Sequence, residues 1–533
     1  MLYALVRKEL LGHLASFRFW FVSILTVLLA ALSTFVAADN YGLRLAGYRA
    51  QVAGYQEELR SARVYSYLQP VAVRPPELLS ILDRGFETRV GTDVRIHLFE
   101  VPVAATHGHP SNELLIAPLP VDLTTLVAVV LGLLALLLTF DAIAGEKADG
   151  NWKALFAHPL RRETLLAGKY LGALLAVSLP LAAALAVSLG LTWIETEEGL
   201  TLSQLLRAAG LAGAYFGYLS LLVLLGLLLS LSARHPAGAL AAAILVWLCL
   251  TLLIPGVAWA VAGMAPDAQE LRRAAEAGVA RLAAEREERF RQELQRDPSR
   301  TAFTGHTSAF LTTGSNRAVL RRYGSASYYD SWVDYHAFEA QMGLRYAEAI
   351  FATRQRLAAS LDKQERRGLA FAALSPGTLL DRLSESFAGT SVADHDRFLE
   401  SCRSYRAQVI ESLRQAGAFQ SWRWFTDDPP GGTRPWPTFL ALRAEDVTAA
   451  NARSLFDRLR SPRIEARMRQ HRAALEQDPS RRLDLASFPR FSYQGPTFRE
   501  SLRRASWEAA MLAALNAAAA FLSLAGIRRQ GWD

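Results

Sequence analysis

Val121–Phe140, VDLTTLVAVVLGLLALLLTF, runs into Asp141–Thr164, DAIAGEKADGNWKALFAHPLRRET, and then into Leu165–Trp193, LLAGKYLGALLAVSLPLAAALAVSLGLTW. The outer two stretches are apolar and long enough, at about 1.5 Å rise per residue, to cross about 30 Å of hydrocarbon. The middle one is polar and holds Lys147, Lys153, Arg161 and Arg162. A short connection rich in Lys and Arg between two spans stays on the cytoplasmic side. This pattern predicts a membrane hairpin with its connection inside.

Four more apolar runs, Phe19–Ala38, Leu205–Leu231, Ala237–Gly263 and Trp507–Ile527, complete a set of six predicted spans in the 533 residues. The hydrophobic content of 51% is moderate because long polar stretches dilute these runs. Met1–Arg18 is basic and precedes the first run, but that run is too long for a signal peptide core and lacks a small-residue cleavage site, so it reads as a retained helix. Arg7, Lys8 and Arg18 before the first span, Arg234 between the fourth and fifth, and Arg528 and Arg529 after the last mark the inner side. Glu195, Glu197 and Glu198, with no cation until Arg207, mark an outer connection. Arg503 and Arg504 run against the pattern, in a flank where a long outer segment weakens the rule. The reading is a multi-pass protein of the bacterial inner membrane with both termini cytoplasmic. The net charge of +8 follows from this topology, and no nucleic-acid motif accompanies it.

The predicted organisation is an interfacial helix and first span (1–38), a first extracytoplasmic segment (39–120), spans two to five with a cytoplasmic loop at 141–164 (121–263), a large extracytoplasmic domain (264–506), and the sixth span with a cytoplasmic tail (507–533). Leu45, Tyr48, Val52, Tyr55 and Leu59 recur at helical steps and predict a stalk continuing outward from the first span. Leu271, Ala275, Val279, Leu282, Phe290 and Leu294 form a similar stripe, which is expected to pack on that stalk. Phe398, Cys402, Tyr405, Val409 and Leu413 share a helical face behind a capping pair, Ser391 and Asp394. Val90, Val94, Ile96 and Leu98 alternate, which predicts one or two short strands. Asp428–Pro437 reads as a loop, and no disulfide is expected between Cys249, inside a span, and Cys402, far outside it.

With these residues in place, the chain resembles the ABC-2 type permeases. Members of that family carry Gly-Glu-(Lys/Arg)-x-x-Gly-Thr, a short helix ending near Pro, and a basic pair ahead of a Gly-Lys that opens the third span. Gly145, Glu146, Gly150, Pro159, Arg161, Gly168 and Lys169 match, with Asn151 in the usual Thr position. Pro75-Pro-Glu-Leu-Leu-Ser80, Arg84-Gly85, Leu374-Ser-Pro-Gly377, Phe387-Ala-Gly-Thr390 and Phe491-Ser-Tyr-Gln-Gly-Pro496 resemble a subgroup with a large extracytoplasmic domain of unknown function. The resemblance covers nearly the whole chain. It implies a mainly α membrane protein with six transmembrane helices of ABC-2 permease type and a large, mostly helical extracytoplasmic domain.

The same resemblance implies that Glu146–Thr164 couples the membrane helices to a separate ATPase, with Gly145, Glu146, Gly150, Pro159, Arg161, Arg162 and Lys169 as coupling residues. Met1–Arg18, with Leu2, Val6, Leu10 and Phe17 on one face, is the expected interfacial helix beside it. The expected partners are an ABC ATPase subunit, a second permease subunit (a second copy or a paralogue) and the lipid bilayer, with no nucleic acid. No cofactor is expected in this chain, with ATP and magnesium on the partner ATPase.

No Gly-x-x-x-x-Gly-Lys-(Ser/Thr) loop occurs, and Ala167-Gly-Lys-Tyr170 lacks both the earlier Gly and the hydroxyl that would hold magnesium. Ionisable residues are nearly absent from the middle of the spans, which argues against ion-coupled transport. His107-Gly-His109 is too small a ligand set for a zinc site and reads as an exposed loop. Asp394-His395-Asp396 reads as the polar start of a helix, since neighbours on a helix point apart. Neither a His-Glu-x-x-His pair nor a Gly-x-Ser-x-Gly turn supports a hydrolase. Gly213-x-x-x-Gly217 permits close helix approach, and Pro180 and Pro255 are expected to kink their spans. The expected function is the permease subunit of an exporter, with no enzymatic site of its own. ATP-driven mechanical or scaffold action through the outer domain is the alternative, ahead of a membrane-embedded enzyme.

Overall fold

The computed structural model describes residues 2–87, 90–106, 121–150, 161–194, 199–263, 267–296, 308–313, 316–321, 326–427 and 478–529, together with the isolated positions 462, 466, 470 and 473. The chain begins with a short helix, α1 (Leu2–Leu14), which stops at Ser16. The Ser16 hydroxyl donates to His13 O (2.8 Å) and accepts from Phe19 N (3.3 Å), so one side chain closes α1 and caps the next helix. That helix, α2 (Phe17–Ser61), is 45 residues long, about 68 Å at 1.5 Å per residue, and so outruns any bilayer core. Its buried positions, Phe19, Ser23, Thr26, Ala30, Thr34, Ala37 and Ala38, are mostly small and recur every three or four residues. Small side chains let helices approach closely where lipid supplies no hydrophobic drive, and Thr34 meets Ser188 at 2.8 Å on this face.

α3 (Leu123–Leu137) is the shortest of the apolar helices and is interrupted by a π turn at Val127–Leu131. Asp122 caps it by accepting from Thr125 N (2.8 Å), and i→i−4 bonds continue past its end at Leu138 and Phe140. A one-turn helix, α4 (Ala144–Ala148), follows, and then come α5 (Arg162–Ile194) and α6 (Leu202–Ser232), the latter opened by a Thr201–Gln204 capping box. α7 runs from Pro236–Leu248 through a π turn at Cys249–Leu253 into Ile254–Gly263. Pro255 sits just beyond that π turn, whereas Pro180 lies inside an uninterrupted α5. Among the described residues, five helices are long and apolar enough to cross a membrane: α2, α5, α6, the stretch Pro236–Ala258 of α7, and the last helix, Phe498–Arg529.

α6 is the centre of the bundle, because it is enclosed by α3, α5 and the last helix. Tyr218 donates to Ala128 O (3.0 Å) and Tyr215 shares a bond with Thr124 (2.8 Å), which places both hydroxyls in an otherwise apolar core with partners.

On the far side of the bundle from α1 lie α8 (Asp267–Arg296), α9 (Ala326–Ala372), α10 (Pro376–Ala388) and α11 (Val392–Gln415), and the last helix, α12 (Phe498–Arg529), runs back through the bundle to the α1 end, where Arg528 meets Glu163. β1 (Val71–Val73) pairs antiparallel with β2 (Asp93–Arg95), and β3 (Ser308–Thr313) with β4 (Asn316–Arg321). The expected face of α11 is buried in full, from Phe398 through Cys402, Tyr405 and Val409 to Leu413, and it packs on Val94, Ile96 and Leu98. Ser391 caps α11 as predicted, accepting from Asp394 N (3.3 Å). One expectation fails: α8 packs on α9 rather than on the outward part of α2, with Phe290 stacked on Phe338 and Gly278 against Thr353. Both cysteines are free, with Cys402 buried. The His107–His109 pair and the Asp428–Pro437 loop lie outside the described residues.

Candidate functional site

At the α1 end of the bundle, α5 offers two glycines one turn apart, Gly168 and Gly172, and α1 lies directly on them. A methyl group on Gly168 would sit 2.9 Å from Leu5 Cβ, and one on Gly172 would sit 2.6 Å from Glu9 Cβ. The missing side chains therefore create the groove that seats α1. The face α1 turns inward is Leu5, Val6, Glu9, Leu10 and His13, while Leu2 and Phe17 are exposed. The predicted stripe of Leu2, Val6, Leu10 and Phe17 is thus half right, because the break at Ser16 puts Phe17 on a different helix.

Lys169 lies between the two glycines with its side chain only 3% exposed, its ammonium 2.7 Å from Glu146 Oε1 and 3.1 Å from Glu9 Oε1. A buried ammonium is costly unless paired and hydrogen-bonded, and here two carboxylates from two other elements serve it. The second Glu146 oxygen is buried without a hydrogen-bond partner among the described residues. His13 faces the same cluster, and burial pushes its pKa below the usual value, against the pull of Glu9 and Asp141 and with a further push from Lys169.

α4 is fixed to the end of α6. Ser230 accepts from Ile143 N and Ala144 N, both at 3.0 Å, and Lys147 Nζ donates to Leu231 O at 2.5 Å. A cation at the carbonyl end of a helix meets both its free acceptors and its dipole. At the start of α5, Arg528 of α12 donates to Glu163 Oε1 (2.9 and 2.5 Å), and Arg162 donates to Arg528 O (3.4 Å).

Of the predicted coupling residues, the structure brings Glu146 and Lys169 together, with Gly145 in the same turn as Glu146. Gly150 follows α4 at φ +74°, a left-handed position that suits glycine. Arg161 is exposed, Arg162 is half-buried beside the end of α12, and Pro159 lies outside the described residues. Glu9, His13 and Gly172 were not singled out by sequence, and Lys147 was read there only as a cytoplasmic charge of the connection. A signal did exist for Glu9, the lone carboxylate in the basic segment Met1–Arg18.

A second junction ties the far elements to the bundle. Arg207, 3% exposed near the start of α6, donates to Phe387 O (2.8 Å) and Pro496 O (3.2 Å) and pairs with Glu77 at 3.4 Å. Arg74 donates to Gly389 O (2.8 Å), and Phe86 N donates to Thr390 O (3.0 Å). Gly389, at φ +77°, faces the Arg207 guanidinium, and Gly495 faces the Glu77 carboxylate, so closely that neither has room for a side chain. Four of the fragments quoted above, around Glu77, Gly85, Gly389 and Pro496, meet at this one place. Their residue types follow from the requirement to surround a buried guanidinium with acceptors.

A bundle with five helices long and apolar enough to cross a membrane among the described residues defines a multi-span helical membrane protein. Residues 3–391 match the family described as ABC-2 family transporter protein, and the chain belongs to that family, the permease subunits of ABC transporters. It is also 34% identical over 139 residues to the probable ABC transporter permease protein NosY of Pseudomonas aeruginosa. That match covers 25% of this chain and 48% of NosY, so the chain spans about half the length of this relative.

Proposed function

We propose that this chain is the membrane-spanning subunit of an ATP-driven exporter, with six spans, α3 included, and with both termini in the cytoplasm of a bacterial cell. Two such subunits, identical or paralogous, enclose the path, and ATP with magnesium is bound by a separate ATPase. Residues 39–120 and 264–506 form the extracytoplasmic part, as in the subgroup that the Glu77, Gly389 and Pro496 fragments resemble.

The observation that carries this reading is the Glu9–Lys169–Glu146 cluster. It joins the interfacial helix, the 141–164 connection and the start of the third span, so a force applied to the connection reaches α5 through a charged, buried joint. Arg161 supplies exposed charge, and Arg162 half-buried charge, at the end of that connection for a soluble motor to hold. The test is co-purification with its ABC ATPase subunit. Arg161→Glu with Arg162→Glu is expected to lose the ATPase, while reporters fused after Arg529 and inserted at Gly432 still read cytoplasmic and periplasmic. Full retention of the ATPase by a correctly inserted variant would refute the docking role.

A second reading is that the motion is delivered to the outer domain and no solute crosses. It draws on the unbroken α2, which extends from the α1 junction to β1, and on Arg207, which couples α6 to the far elements. A reconstituted flux assay separates the two.

A further inference from the structure

The outward part of α2 does not end in a filled core. Its stripe residues Tyr48, Val52 and Leu59 face Val71 and Val73 of β1 and the segment 482–491 across a cavity of about 460 Å³. Val71 and Val73 point the same way along the strand, while Ala72 turns to the far core, as strand alternation requires. The wall opposite α2 is stiff. Phe488 belongs to the far core, and Phe491 is held edge-on by Tyr405 and Phe398, at 5.4 and 6.0 Å. The volume falls in the range of about 300–1,000 Å³ typical of small-molecule sites.

The charge at this cavity has one sign. Arg60, Arg482 and Arg490 line it, and no Asp or Glu does among the described residues. Arg60 has only an exposed partner, Glu57 at 3.5 Å, and such pairs hold little energy. Arg482 and Arg490 form no ion pair among the described residues. In the wall, the Tyr55 hydroxyl is buried against the Tyr405 hydroxyl, which itself donates to Pro489 O (3.1 Å).

We infer that this cavity binds an anionic amphiphile carrying one acyl chain in the site, with the chain against Val52, Leu59, Val73, Phe488 and Phe491 and the headgroup at the arginines. A small inorganic anion would leave the apolar wall wet, and a neutral hydrocarbon would forgo the attraction of three guanidiniums that share one mouth. Only a ligand with both parts fits both surfaces. Val52 lies about 21 Å along α2 from Ala38, the end of the apolar run, at 1.5 Å per residue. The bound molecule is therefore held clear of the hydrocarbon, where a free fatty acid or a lipid drawn from the bilayer would serve equally.

The test uses the full chain in phosphatidylcholine nanodiscs with radiolabelled palmitate as probe. Saturable binding near one per chain is expected, weakened about tenfold in R482E/R490E by the reversed charge and lost in Val52→Trp, which fills the cavity. The arginine variant alters exposed side chains and should keep the wild-type melting temperature, so its result stands even if Val52→Trp fails to fold. Native mass spectrometry of the chain from discs doped with phosphatidylglycerol identifies the source. Retained phosphatidylglycerol without palmitate binding assigns a membrane lipid, and palmitate binding alone assigns a free acid. Equal palmitate binding by R482E/R490E, competition by tetradecanol as strong as by palmitate, or retention of neither molecule would overturn the inference.

Discussion

The Lys169 ammonium sits 2.7 Å from Glu146 Oε1, so two residues that are 23 apart in the chain form one joint between the connection after α3 and the body of α5. The Glu and Lys that the family pattern places on either side of this connection thus have a physical reason to occur together. Glu9 completes the joint from α1.

Removing the cation should be worse than removing an anion. Lys169→Met leaves Glu9 and Glu146 facing each other with little water, and breaking a buried pair costs about 3 kcal/mol or more. Glu9→Gln leaves Lys169 with Glu146 and should cost about 1 kcal/mol, the scale of one hydrogen bond. Thermal unfolding of the two variants in the same detergent tests this order. Equal melting temperatures of the two variants would contradict this order.

The seat of α1 depends on Gly172, where a side chain would meet Glu9 Cβ at 2.6 Å. Gly172→Val should displace α1 from α5 at a cost of about 1–3 kcal/mol, the range for overpacking. Thermal unfolding reports the change, with a melting temperature for Gly172→Val below that of the parent, and an unchanged one would contradict the seating.

Glu77 gives the far junction a pH dependence. Its pKa is raised from the ordinary 4.5 to about 7, mainly by burial, with Arg207 pulling the other way and Glu87 adding to the rise. Between these values the folded state keeps the proton and the unfolded chain has lost it. The contribution of Glu77 to stability is therefore greatest below about pH 4.5, falls as pH rises to about 7, and is level above. Glu77→Gln should flatten that slope in a pH series of melting temperatures, and an unchanged slope would assign it to other groups.

Burial pushes the Cys402 thiol up to about 12. A maleimide should therefore leave Cys402 unmodified in the native protein and label it fully after unfolding, because the thiolate is the reactive form. Intact-mass analysis before and after denaturation settles this, and it also detects any bond to Cys249.

The apolar helices were legible because hydrocarbon thickness sets a length that hydropathy reads directly. The length of α3 was not, since its start depends on the Asp122 cap and its interior holds a π turn, neither of which alters hydropathy. The α11 stripe announced a buried face and was found buried from Phe398 to Leu413. The Leu271–Leu294 stripe announced one too, but a stripe does not say what covers it, and α9 covers it in place of the stalk. Glu146 and Lys169 were legible as a pattern, whereas Glu9 joins them only because two glycines bring α1 onto α5, a closeness visible in three dimensions.

On the proposed function, the Lys169 joint passes force between the ATPase and the membrane helices. This is tested by ATP turnover of the complete complex in proteoliposomes carrying Glu146→Ala, compared with the free ATPase. The variant complex should insert and assemble normally while the permease-dependent part of ATP turnover falls about tenfold, equivalent to about 1.4 kcal/mol of lost coupling. Normal assembly with wild-type turnover would contradict it.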